Sequence, residues 1–71
     1  MKQTFYEDAN KELYLENGDF FVKTQYPYNI YEISYRTFIE EIEAMWQYSE
    51  AWKRLKIIEA GKAAGILYEV A

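Results

Sequence analysis

Glu12-Leu13-Tyr14-Leu15-Glu16-Asn17-Gly18-Asp19-Phe20-Phe21-Val22-Lys23 is the stretch that decides the fold of this chain. Asn17-Gly18 is the preferred central pair of a type I′ turn, because both positions require φ > 0. Pairing outward from it sets Leu15 opposite Phe20, Tyr14 opposite Phe21, Leu13 opposite Val22 and Glu12 opposite Lys23. Side chains alternate across a strand, so Leu13, Leu15, Phe20 and Val22 share one face. Tyr14 and Phe21 share the other with the Glu12–Lys23 charge pair. The first face reads as core and the second as at least partly wet.

Working outward, Gln3–Glu7 forms a preceding strand, turned through Asp8-Ala9-Asn10-Lys11, whose residue types favour turns. Downstream, Tyr26-Pro27-Tyr28 interrupts the sheet, since proline cannot donate to a central ladder. Asn29–Arg36 alternates again, with Tyr31, Ile33 and Tyr35 on one side and Glu32, Ser34 and Arg36 on the other. A helical segment is then predicted from Thr37, where Thr37-Phe38-Ile39-Glu40 fits a capping box. Glu40, Glu41 and Glu43 fall toward the positive end of its dipole, and Lys53, Arg54 and Lys56 toward the negative end. Glu50 and Arg54 are spaced for an i,i+4 pair.

The apolar pattern of that segment changes phase midway. Phe38, Ile42, Met45, Trp46 and Ser49 make one stripe at helical spacing, whereas Tyr48, Ala51, Trp52, Leu55 and Ile58 centre elsewhere on the helix surface. Two readings stay open. The helix breaks near Gln47–Ser49, with Ser49 capping a second helix that turns its own face to the core. Alternatively it runs unbroken and offers its second half to another chain, a reading favoured by the lack of Gly or Pro at the junction. Ala60-Gly61-Lys62-Ala63-Ala64-Gly65 allows a stop at Gly61 or a close small-residue contact. Ile66–Val70 reads as a final strand or a last amphipathic turn.

The expected fold class is α+β. A small antiparallel meander of three to four strands (1–36) packs against one long or broken C-terminal helix (37–61), and a turn or short strand (62–71) completes a single domain. A chain of 71 residues is short of core, and needs dense aromatic packing, a partner subunit or both. Eight Tyr, four Phe and two Trp provide such packing, and with no Cys and no His a disulfide and the usual zinc ligands are excluded. The hydrophobic content of 51% also excludes an intrinsically disordered chain. Met1-Lys2-Gln3-Thr4 precedes no long apolar run, and no stretch approaches the roughly 18 apolar residues of a membrane span. No membrane association is expected, and the cytoplasm is the default location.

The catalytic inventory is thin. Without His or Cys there is no Ser-His-Asp or Cys-His arrangement, and Ser34 and Ser49 have no activating neighbour. Gly61-Lys62 meets only part of a phosphate-binding loop, with Lys56 where its first glycine belongs and Ala63 where Ser or Thr belongs. No EF-hand spacing supports an oxygen-ligand metal site. The expectation is a non-enzyme, with no catalytic, cofactor-binding or metal residues and no cofactor.

Charge says more. Residues 1–50 carry a net charge of −6 and residues 51–71 of +2, which together give −4. An acidic body with pI near 4.7 disfavours non-specific nucleic-acid binding and favours docking on a basic surface. Direct nucleic-acid contact through Lys53, Arg54, Lys56 and Lys62 is the weaker reading, because completion of a helix dipole explains most of that cluster. Tyr26, Tyr28 and Tyr31 gather around Pro27 and read as interface anchors or core filling. The partner-binding candidates are Glu40, Glu41, Glu43, Tyr26, Tyr28, Tyr31, Tyr48, Trp52 and Leu55.

A short, acidic, tyrosine-rich chain poor in catalytic residues is similar in composition to small accessory proteins of phages and other mobile elements, including inhibitors of host defence enzymes. That resemblance implies an inhibitor or modulator of a larger basic partner, with a nucleic-acid-processing complex as the plausible class, acting in the host-cell cytoplasm. The alternative is a homodimeric structural or assembly protein that uses the Trp52 helix face.

Overall fold

The computed structural model of the chain describes residues 1–66. Four strands, β1 (Lys2–Glu7), β2 (Lys11–Glu16), β3 (Asp19–Gln25) and β4 (Tyr28–Ile33), form one antiparallel sheet in the order β1-β2-β3-β4. Two helices follow, α1 (Tyr35–Trp46) and α2 (Ala51–Ala63). The architecture is α+β, with both helices on one face of the sheet.

The β2–β3 register is the one set by the turn: Leu15 faces Phe20, Tyr14 faces Phe21, Leu13 faces Val22 and Glu12 faces Lys23. Asn17 and Gly18 adopt φ of 52° and 83°, as a type I′ turn demands. At the other turn, Asp8 Oδ1 accepts from the N–H groups of Asn10 and Lys11 at 2.7 and 2.9 Å, so one side chain satisfies two turn donors. β1 carries a bulge. Thr4 pairs with Tyr14 and Tyr6 with Leu13, leaving Phe5 as the extra residue. Because of it two successive side chains, Phe5 and Tyr6, both reach the core.

That core lies between sheet and helices and centres on Phe5, Leu13, Phe38, Ile42, Ile57 and Ala60. Phe38 sits edge-on to Phe5 with ring centroids 5.0 Å apart, and 4.7 Å from Phe20.

The helical region departs from the sequence expectation in four ways. First, α1 starts at Tyr35 rather than Thr37. Its N-cap is Ser34, whose Oγ accepts from the Thr37 N–H at 3.1 Å, so Glu40 is too far along to close a capping box. Second, the unbroken helix is overturned: α1 stops at Trp46 and α2 restarts at Ala51. Tightened bonds from Tyr48 N–H to the Met45 carbonyl (3.2 Å) and from Ser49 N–H to the Trp46 carbonyl (3.1 Å) end the first helix. The Ser49 hydroxyl donates backward to the Met45 carbonyl at 2.6 Å, and the N-cap of α2 is Glu50. Third, Arg54 does not pair with Glu50; its Nε donates to the Trp46 carbonyl at 2.9 Å and satisfies the end of α1.

Fourth, the break does not turn Trp52 to the core. α2 packs mainly on β1 and buries Ile57, Ala60 and Gly61. Gly61 is therefore a packing residue, not the stop. The stop is Gly65, at φ 74°, in a Schellman arrangement: Ile66 N–H reaches the Gly61 carbonyl and Gly65 N–H the Lys62 carbonyl. The strand-or-turn alternative for Ile66–Val70 lies, beyond Ile66, outside the described residues.

The sheet face away from the helices is also drier than expected. Glu12 is only 2% exposed. Tyr14 stacks on Phe21 at 5.3 Å, and the ammonium of Lys2 lies 5.0 Å from the Tyr14 ring centre, so long side chains roof the carboxylate. Beneath that roof Glu12 accepts from the Thr4 hydroxyl at 2.6 Å and pairs with Lys2 at 3.1 Å and Lys23 at 3.2 Å. Burial pushes its carboxyl up, but the Thr4 hydroxyl and the two ammonium groups more than offset this and hold it below the usual glutamate range.

Candidate interaction surface

The helices leave β4 uncovered. α2 lies mainly on β1 and α1 on β3, so of β4 only Ile33, at its end, packs against the core beneath the helices. Residues from Tyr28 through Glu32 are all exposed. Tyr26 (86% exposed), Tyr28 (63%), Tyr31 (49%) and Ile30 (46%) therefore stand together at one edge of the sheet. Alternation puts Tyr28 and Ile30 on the face away from the helices and Tyr31 on the helix side. The Tyr31 hydroxyl accepts from Asn29 Nδ2 at 3.0 Å, and Thr24 donates to the Pro27 carbonyl at 2.8 Å, which fixes the turn that carries Tyr26.

Tyr35 links this strand to α1. It packs on Phe20 at 5.4 Å and remains half exposed, lining a shallow hollow with Arg36, Ile39, Glu40 and Glu43. Sequence reasoning placed Tyr35 in the alternating strand and missed it and Ile30 as surface groups. The signal was present in Ser34-Tyr35-Arg36-Thr37, where Ser34 is as good an N-cap as Thr37. The three acids are not equivalent. Glu41 pairs with Lys11 at 3.0 Å, Glu40 lies 4.0 Å from Arg36, and Glu43 enters no described ion pair. None of them lies in the first turn of α1, so the dipole accounts for little of their placement.

The remaining candidates lie on a second surface. Tyr48 projects from the α1–α2 junction, and Trp52 (52% exposed) and Leu55 lie on the outer side of α2 with Ile58. Trp52 donates its indole N–H to Glu50 at 2.5 Å. The structure thus places Tyr26, Tyr28 and Tyr31 along the β4 edge, with Tyr28 and Tyr31 on opposite faces, sets Glu40 and Glu43 beside Tyr35 where α1 begins, and puts Trp52 and Leu55 on α2.

The basic cluster is dispersed. Arg54 turns inward to Trp46, Lys53 and Lys56 lie in the first two turns of α2, and Lys62 stands in its last turn. Among the described residues no three acidic side chains converge as a metal site requires, and no helix is long and apolar enough to cross a membrane. Comparison with protein-family models, curated proteins and solved structures gives no match.

Proposed function

We propose that this chain is a non-enzymatic protein-binding module that docks on the basic surface of a larger protein, using the aromatic edge of β4 and the adjoining acids of α1. The observation that carries this reading is β4 itself: a strand rich in Tyr and Ile, exposed from Tyr28 through Glu32 and held to the core only by Ile33. Large aromatic side chains left half exposed are costly to solubility and are the residue type that anchors interfaces. Glu32 on the strand and Glu40 and Glu43 on α1, against the single cation Arg36 beside Glu40, leave a net negative charge here that would attract a basic partner and speed its approach. By occupying such a surface the module would inhibit or modulate its partner, and a nucleic-acid-processing complex of the host of a phage or mobile element is the class that presents one. Dispersal of the four basic residues speaks against direct nucleic-acid binding, which needs them on one face.

The test is affinity capture from the native host with two baits, the unaltered chain and Tyr28→Ala/Tyr31→Ala, at low and physiological salt. A discrete basic partner held by the first bait, lost from the second and weakened by salt is the expected result. The same proteins on both baits would remove the reading.

The exposed Trp52, Leu55 and Ile58 favour a second reading, a homodimer through α2. A sedimenting mass of one chain, unchanged by Trp52→Ala, would eliminate it.

A further inference from the structure

β1 is the other edge of the sheet: among the described residues it pairs only with β2, so half of its backbone N–H and C=O groups face outward. Thr4 through Glu7 form one wall of a groove whose other wall is the start of α2, with Trp52, Lys53 and Lys56, enclosing about 270 Å³. The Lys53 ammonium lies 5.2 Å from the Tyr6 ring centre, and that of Lys56 lies 5.4 Å from the Trp52 ring. Neither takes part in a described ion pair. Asp8, the acid that acts on Lys53 from β1's end, is already committed, accepting from the Tyr6 hydroxyl at 2.5 Å and from two backbone N–H groups.

These lysines do not serve their own helix. Lys53 sits in its first turn, where the macrodipole disfavours a cation, Lys56 lies in the second turn, beyond its reach, and the carboxylate of the N-cap Glu50 is taken by the Trp52 indole. A local rule broken beside an open groove is where function is expected.

We propose that this groove binds an extended acidic segment of a partner protein, added as a fifth strand on β1 with one carboxylate between Lys53 and Lys56. The edge of β1 supplies main-chain hydrogen bonds on either side of its Phe5 bulge, and the alternation of the added strand brings every second of its side chains toward α2. Trp52, held by Glu50, gives an apolar floor beside the two cations. A polyanion fits less well: its phosphates have no donor for the outward carbonyl groups of β1, which a peptide strand supplies. At the β4 edge, Asn29 Oδ1 already accepts from the Ile30 N–H at 3.0 Å. The groove is separate from the β4–α1 surface, so either can fail without the other.

The test titrates the ¹⁵N-labelled full chain with an acetylated, amidated heptapeptide of alternating valine and threonine around a central glutamate, and with its glutamine counterpart. Shifts at the Thr4–Glu7 amides and the Trp52 indole are expected, with about tenfold tighter binding of the glutamate peptide. That preference should vanish in Lys53→Gln/Lys56→Gln and diminish in Lys56→Gln alone, with melting unchanged. Equal affinities, or shifts on β4 instead, overturn the proposal. So does inorganic phosphate reproducing the whole pattern, which would make the groove a simple anion pocket. Contacts from residues 67–71 to β1 in the free chain, or shifts that depend on its own concentration, would assign the groove to this chain itself and likewise overturn it.

Discussion

β2 and β4 are strands of six residues in the same sheet, and their burial inverts what their compositions suggest. β2 carries three charges in six positions, Lys11, Glu12 and Glu16, yet Glu12, Leu13 and Tyr14 are its buried residues. β4 carries one charge, Glu32, and is exposed along nearly its whole length. Position in the sheet decides: β2 is central and roofed on both faces, by the core on one and by the Tyr14–Phe21 stack with Lys2 and Lys23 on the other. β4, among the described residues, has one neighbouring strand and meets the core only at Ile33. Apolar residues that stay at such an edge are available for a partner, whereas a charge in the centre must find its complement within the chain.

The largest expected effect separates the two strands by stability. Leu13→Ala should cost about 2–5 kcal/mol in chemical denaturation, as a fully buried truncation. Ile30→Ala should cost less than about 1 kcal/mol, as a half-exposed one. Equal losses would abolish the contrast.

Next comes the buried charge. Glu12→Gln should cost about 1–3 kcal/mol, through the broken hydrogen-bond and ion-pair set with Thr4, Lys2 and Lys23. Its carboxyl is held low in the folded chain, so its stabilisation is present above the usual glutamate value of about 4.3 and is lost as pH falls through the folded value. Asp8 is also held low: burial raises it, but the Tyr6 hydroxyl and two backbone N–H groups more than compensate. Melting temperature should therefore fall on acidification in the unaltered chain and fall less steeply in Glu12→Gln. Identical acid limbs would contradict the burial of Glu12. On the alkaline side the Tyr6 phenol, pushed up to about 12 chiefly by its bond to Asp8, should remain un-ionised well past the usual tyrosine range, which absorbance titration reads.

How far this contrast was legible in the sequence depends on the range of the forces involved. The β2–β3 register follows from Asn17-Gly18 because a two-residue turn is local, and Gly18→Val should still cost more than about 1 kcal/mol there. The helix break was visible only as a phase change, since the sequence from Gln47 to Glu50 has no breaker and the stop is built from Ser49 and Arg54 bonding back to α1. The bulge at Phe5, the burial of Glu12 and the choice of Ile57 over Ile58 for the inner face of α2 depend on what packs against each, which no local pattern encodes. For the site, Tyr26, Tyr28 and Tyr31 were legible as candidates from their position around Pro27. Their exposure was not, because it depends on α1 lying over β3 rather than β4.

The smallest expected effect on stability falls on the surface itself. Tyr28→Ala and Glu43→Lys should each change stability by less than about 1 kcal/mol. Glu43→Lys should slow association with a basic partner more than it speeds dissociation, and this difference should shrink as salt rises. Association rates indifferent to both changes would remove charge from the description of this surface.

Amide hydrogen exchange, read strand by strand in the free chain and in complex with the captured partner, tests the role of β4 most directly. In the free chain Leu13 and Tyr14 should exchange only on global unfolding and the free edge of β4 far faster. On complex formation the gain in protection should fall on β4 and the Tyr35–Glu43 face of α1. Protection gained at Trp52 and Leu55 with β4 unchanged would contradict the assignment.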